Sequence, residues 1–155
     1  MILVILMTIV IRRLTKELNQ LKEDPVDGFI LTDFENIMQW KGVLYGPPDT
    51  PFENGKFKIQ FTFSDSYPMD APSVKFLQNI FHPNIYRDGK ICVDILQKDE
   101  WSPVQTVRSI VLSLRSLLMD PNPDSPANRD AASMFVKDRK LYDETVREEI
   151  INYKS

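Results

Sequence analysis

From Phe57 to Phe63 the chain alternates, with Phe57, Ile59, Phe61 and Phe63 separated by Lys58, Gln60 and Thr62. Successive side chains of a strand point to opposite faces, so a period of two predicts a half-buried strand. Such a strand needs partners, and the sequence offers them. Stretches 29–34 and 37–45 mix apolar and aromatic residues with β-formers, and 74–77 makes a fourth, short strand. Glu53-Asn54-Gly55 is a tight-turn signal. Four consecutive strands with short links predict an antiparallel meander.

Helical periods bracket the sheet. Ile11, Leu14, Leu18 and Leu21 recur at spacings of three and four, which predicts a first helix with Arg12, Arg13 and Lys16 toward water. It should end near Asp24-Pro25, because Pro disfavours helix in the residue before it. Ser102-Pro103-Val104-Gln105 reads as a helix start, with Ser as cap, Pro in the first turn and Gln closing a capping box. Val107, Ile110, Val111, Leu114, Leu117 and Leu118 then make the apolar face of a central core helix, which Asp120-Pro121-Asn122-Pro123 ends. Ser125-Pro126 reads as the start of a short helix, and 138–152 as the last one. Residues 83–96 have no clean period and read as an extended loop. The fold class is α+β: N-terminal helix, four-stranded antiparallel meander sheet, loop, central helix and two C-terminal helices.

At 155 residues this is one domain with a real core. The net charge of −3 gives no global basic footprint of the kind that nucleic-acid binding favours. Residues 1–11, MILVILMTIVI, are apolar apart from Thr8. As a helix they reach about 16 Å against a bilayer core of roughly 30 Å, so they do not span a membrane. A basic region before them and a small-residue cleavage site are both missing, which argues against a signal peptide. They form an apolar extension ahead of a domain at 12–155. Either they contact a neighbouring surface or a second copy of the chain, or they simply lead into the first helix.

Chemistry is to be sought first at Cys92, the only cysteine, ten positions after the only histidine, His82. A free Cys is often just a small buried hydrophobe. Here it closely follows Pro83, Asn84, Asp88 and Gly89, all turn formers, and loops on a rigid scaffold carry much of binding and catalysis. One Cys excludes an internal disulfide and fits a reducing compartment. One Cys and one His do not make a four-ligand zinc site without a row of carboxylates, so no metal is expected.

Along roughly residues 12–153 the chain resembles the ubiquitin-conjugating enzymes. The marks are Tyr67-Pro68, His82-Pro83-Asn84, Gly89-Lys90-Ile91-Cys92-Val93-Asp94-Ile95-Leu96, Trp101-Ser102-Pro103 and Asp120-Pro121-Asn122-Pro123. The triplet alone is weak. The triplet, Cys92 eight residues after Asn84, Trp101 nine after that, and the Pro-Asn-Pro turn are together very specific. The resemblance implies an enzyme without cofactor, working in the cytoplasm or nucleus as a catalytic core without a tail domain. Cys92 would take the C-terminus of ubiquitin as a thioester from an activating enzyme. It would then pass it to a substrate lysine or a ligase cysteine. Two other readings stay beside this one: a conjugating enzyme for another ubiquitin-like modifier, and a non-catalytic ubiquitin-binding variant. The acidic balance speaks against strongly basic SUMO-type relatives, and Cys92 against the non-catalytic variant.

The resemblance also implies roles. His82 and Pro83 belong to the structure of the loop, His82 being a poor candidate for a base. Asn84 donates to the oxyanion that forms when an amine attacks the thioester, satisfies backbone groups of its own turn, or does both. Asp94 either orients or deprotonates the incoming lysine or is merely a solvated or capping residue. Arg12, Arg13, Met69, Ser102, Pro103 and Val104 match the surface where family members meet the activating enzyme and RING-type ligases, HECT-type ligases being the other class of partner. Departures are Ser125, where many members carry an acidic residue, Asp70, where relatives are often basic, and a stretch at 97–100 that is one residue longer than the commonest form.

Overall fold

The computed structural model describes residues 1–91 and 100–153. Helix α1 (Ile2–Glu23) leads into strands β1 (Phe29–Asp33), β2 (Gln39–Tyr45), β3 (Lys56–Thr62) and β4 (Ser73–Phe76). After a long loop come α2 (Val107–Met119), α3 (Arg129–Lys137) and α4 (Arg139–Asn152). The strands pair antiparallel in the order β1-β2-β3-β4, the meander expected. Each strand lies within two residues of its predicted position.

Along β3 the alternation is realised: Phe57, Ile59 and Phe61 are buried while Lys56, Lys58 and Thr62 are exposed. Their apolar side joins Trp40 and Leu44 of β2 and Val74 and Phe76 of β4 in one core. Leu14, Leu18 and Leu21 of α1 and Val107, Ile110, Val111, Leu114 and Leu118 of α2 complete that core. Burying a side chain of this size contributes about 1.5–3 kcal/mol, so this stripe fixes where α2 sits and what its two ends can reach.

Helix starts depart from the sequence reading in three places. Helix α1 begins at Ile2 rather than near Ile11, so the apolar extension is its first half. Helix α2 begins at Val107, not at Ser102. Its cap is Thr106, whose hydroxyl accepts from the Ser109 N–H at 3.2 Å while the Ser109 hydroxyl accepts from the Thr106 N–H at 2.8 Å. That reciprocal pair satisfies two donors at the helix end. Ser102–Gln105 forms a separate turn closed by Gln105 N–H to Ser102 O at 3.0 Å. Helix α3 begins at Arg129 behind the cap Asn128, not at Ser125. The chain from Ser125 to Asn128 is drawn off instead, its backbone bonded to Pro83 and Asn84.

Candidate functional site

Two loops meet at the C-terminal end of α2. The last four carbonyls of a helix have no partner within it. One of them, Leu117 O, accepts from His82 Nε2 at 2.8 Å. The other ring nitrogen, Nδ1, accepts from the Asn84 backbone N–H at 2.9 Å. These two bonds fix the neutral tautomer with its proton on Nε2. His82 is fully buried, and burial pushes its pKa down to about 4, against a small opposing effect of the Leu117 carbonyl. A ring that is neutral, sealed and bonded on both nitrogens is a strut rather than a base.

Asn84 extends the same attachment. It is 2% exposed. Its Nδ2 donates to Asn122 O at 2.7 Å and to Ser125 O at 3.1 Å, and its Oδ1 accepts from Asn122 N–H at 2.8 Å. A carboxamide has two N–H donors, and both are engaged by backbone carbonyls. Donation to an oxyanion therefore requires release of one of them, the longer bond to Ser125 being the weaker. Pro83, buried, offers its carbonyl to Ala127 N–H at 2.7 Å and Asn128 N–H at 3.0 Å. The triplet 82–84 is thus bonded to residues 117, 122, 125, 127 and 128.

Downstream of the triplet the chain doubles back. Gly89 N–H donates to Tyr86 O at 2.9 Å and Tyr86 N–H to Lys90 O at 2.8 Å, while Ile91 bridges Ile85 and Lys90 bridges Lys75. Gly89 is required here: its φ is +90°, and a Cβ would stand 1.9 Å from Phe76 O. Cys92 and Asp94 lie outside the described residues. Ile91, the neighbour of Cys92 in sequence, is half-buried and bridges Ile85, itself next to Asn84.

The six residues expected on a protein-binding surface fall into two groups. Met69, Pro103, Val104 and Arg12 are exposed, Met69 by 71% and Val104 by 87%. Ser102 is half-buried, with its hydroxyl accepting from Val104 N–H at 3.3 Å. Arg13 does not face water freely. Its Nη2 donates to Pro103 O at 2.9 Å and Gln105 O at 2.7 Å, and its Nε pairs with Glu17 Oε2 at 2.9 Å. Trp101 Nε1 donates to Pro68 O at 2.8 Å. These bonds bring α1, the 67–70 loop and the 101–105 turn together, with Met69, Pro103 and Val104 left outward.

Beneath that surface lies a node that sequence reasoning missed. Glu17, 4% exposed, accepts from Arg13 Nε and the Tyr67 hydroxyl on Oε2, and from Val107 N–H at 2.8 Å on Oε1. Val107 is the first residue of α2, so its N–H is one of the helix's unpartnered donors, and a carboxylate there also complements the helix dipole. Burial and the adjacent Glu17 carboxylate push the Tyr67 hydroxyl far above its ordinary pKa, so Tyr67 remains a donor. The signal was available: Glu17 sits between Leu14 and Leu18 on the apolar stripe and four residues after Arg13.

No helix among the described residues is long and apolar enough to cross a membrane. A family model described as ubiquitin-conjugating enzyme matches residues 13–150. The chain is 44% identical over 142 residues to "Ubiquitin-conjugating enzyme E2 2" of Candida albicans, covering 91% of this chain and 79% of that one. It is 48% identical over 132 residues to "Ubiquitin-conjugating enzyme E2 2" of Mycosarcoma maydis, covering 84% and 71%. With "Ubiquitin-conjugating enzyme E2 1" of Caenorhabditis elegans it shares 45% over 138 residues, covering 88% and 71%. The meander with α1 and α2 sharing its one core, the loops bonded to the end of α2 and these matches lead to one assignment: the chain belongs to the ubiquitin-conjugating enzyme family.

Proposed function

We propose that Cys92 is the thiol that carries ubiquitin. One observation supports this above others: the family's reaction proceeds through a cysteine thioester, and this chain has a single sulfhydryl. In the first step the Cys92 thiolate attacks the carbonyl of ubiquitin's C-terminal thioester on the activating enzyme. The activating enzyme's cysteine leaves as thiolate, and the acyl group is exchanged between equals. In the second step an amine attacks the Cys92 thioester. Its oxygen becomes an oxyanion, the C–S bond breaks, the amine loses its proton and an amide remains. Asn84 donates to that oxyanion by letting go of Ser125 O, while its bonds with Asn122 keep the loop in place. Asp94 orients the incoming lysine or takes its proton. His82 and Pro83 hold the loop.

Arg12, Met69, Ser102, Pro103 and Val104 form the contact surface for the activating enzyme and a RING-type or HECT-type ligase, with Arg13 bracing it from behind. Exposed Met and Val suit such a surface, since an adaptable apolar side chain gains most on burial. Residues 12–155 make up this catalytic core, acting in the cytoplasm or nucleus.

The test is to incubate the protein with activating enzyme, ATP and ubiquitin and run a non-reducing gel. The expected product is a band one ubiquitin heavier that thiols remove. Cys92→Ala loses it, and Cys92→Ser gives a thiol-resistant ester. A thiol-sensitive band on Cys92→Ala would overturn the assignment. Charging with a different modifier in preference to ubiquitin would change the cargo but not the chemistry.

A further inference from the structure

The first half of α1 has no role in the reaction above. Ile2, Leu3, Val4, Ile5 and Leu6 are between 45% and 76% exposed, and Ile9 and Ile11 are 53% and 41% exposed. At 3.6 residues per turn, five consecutive residues pass more than once around the axis. Apolar surface therefore covers the whole circumference rather than one stripe. The one polar side chain between Ile2 and Ile11 is Thr8, and its hydroxyl donates to the Val4 carbonyl at 2.8 Å. Its polar group is thus satisfied within the helix. Val10 is the first residue of α1 seated in the core.

A groove or a partner helix covers one face of such a cylinder and leaves the rest wet. Apolar surface on so many sides is matched best by a medium that can close around it, as acyl chains do. From Ile5 onward the helical backbone meets that medium with its hydrogen bonds made internally, beginning with Ile5 N–H to Met1 O at 3.1 Å, while the N–H groups of Ile2 to Val4 and the Met1 ammonium belong at the polar surface. Residues 2–11 are about 15 Å long, too short to span a hydrocarbon core roughly 30 Å thick, and about 10 Å wide, a depth that the headgroup–acyl boundary can take with both helix ends left at the polar surface. Charge follows directly. Arg12 and Lys16 are exposed, and among the described residues neither pairs with a carboxylate. Arg13 is held by Glu17, so it is the other two that remain for an anionic partner. We propose that residues 2–11 sink lengthwise into the headgroup–acyl boundary of an anionic bilayer, with the Met1 ammonium, Arg12 and Lys16 at the headgroups, holding the enzyme at a membrane surface without crossing it.

The test is co-sedimentation of the full chain with vesicles of phosphatidylcholine alone or with roughly a third phosphatidylserine. The wild type is expected in the pellet with the anionic vesicles. Leu3→Glu combined with Ile5→Glu should stay in the supernatant while melting at the wild-type temperature, since both positions are exposed. Arg12→Glu with Lys16→Glu should lose the preference for anionic vesicles, worth about fivefold per cation. Equal partitioning of wild type and Leu3→Glu/Ile5→Glu would overturn the proposal, as would wild type remaining in the supernatant with both vesicles. A vesicle-independent dimer by sedimentation velocity, abolished by the same pair, would assign the segment to a second copy instead.

Discussion

Asn84 and Asn122 exchange two hydrogen bonds: Asn84 Nδ2 donates to Asn122 O at 2.7 Å, and Asn122 N–H returns one to Asn84 Oδ1 at 2.8 Å. Such a ring requires an amide, because one end must donate and the other accept. Asn84→Ala is expected to charge with ubiquitin yet discharge onto free lysine 10²- to 10³-fold more slowly, the usual consequence of losing one oxyanion donor. Asn84→Asp keeps the acceptor but sets an oxygen against the carbonyls of Asn122 and Ser125, with a stability loss of about 1–3 kcal/mol. Single-turnover discharge and urea unfolding separate the two effects. Wild-type discharge by Asn84→Ala would leave the residue a role in the loop alone.

His82 makes stability depend on pH. Its folded pKa is about 4 against an ordinary 6.5. Between those values the unfolded chain binds a proton that the folded chain does not, so stability falls as pH drops from 6.5 toward 4. The full difference amounts to about 3 kcal/mol. Urea midpoints measured at pH 7 and near pH 4 should differ accordingly. His82→Gln, which does not titrate, should remove that part of the slope. An unchanged slope in the variant would place the acid sensitivity elsewhere.

Glu17 should behave as a buried charge that three donors need. Glu17→Ala leaves Arg13 Nε, the Tyr67 hydroxyl and Val107 N–H without their acceptor. The expected loss is about 3 kcal/mol or more. Tyr67→Phe removes one donor and costs about 1–2 kcal/mol. The double variant should lose less than the sum of the two, a coupling that a denaturant-based mutant cycle reads directly.

Gly89→Ala should lower stability by about 2 kcal/mol or more, because it combines a positive φ with a methyl group driven into Phe76 O. Thermal unfolding checks this. A wild-type midpoint would mean that the 86–90 turn shifts away from β4 without cost.

The sheet was legible because its signal is local. The alternation from Phe57 to Phe63 and the stripe from Val107 to Leu118 are periods that a single segment carries. The family motifs were legible as words in order. Long-range polar attachments were not. Arg13 reads as one of three cations on a wet helix face, yet its Nη2 is claimed by carbonyls 90 and 92 residues away. Carbonyls are the same for every residue type, so nothing in the spelling of Pro103 or Gln105 announces them as acceptors. The starts of α2 and α3 failed for a related reason. Ser102 and Ser125 each stand beside a proline and look like caps, while Thr106 and Asn128 hold the actual cap geometry. Ser125 was also drawn toward Asn84, a competing interaction that its own segment does not encode.

The attachment of His82 to Leu117, across 35 positions, has a consequence for the life of the polypeptide. A ribosome releases the triplet well before it releases the helix that must receive it. Until that helix is seated, the triplet has neither its ring bond to Leu117 nor its amide clasp on Asn122 in position. A nascent or half-unravelled copy therefore carries the triplet without either attachment, and the loop it anchors takes its native form only after α2 has docked.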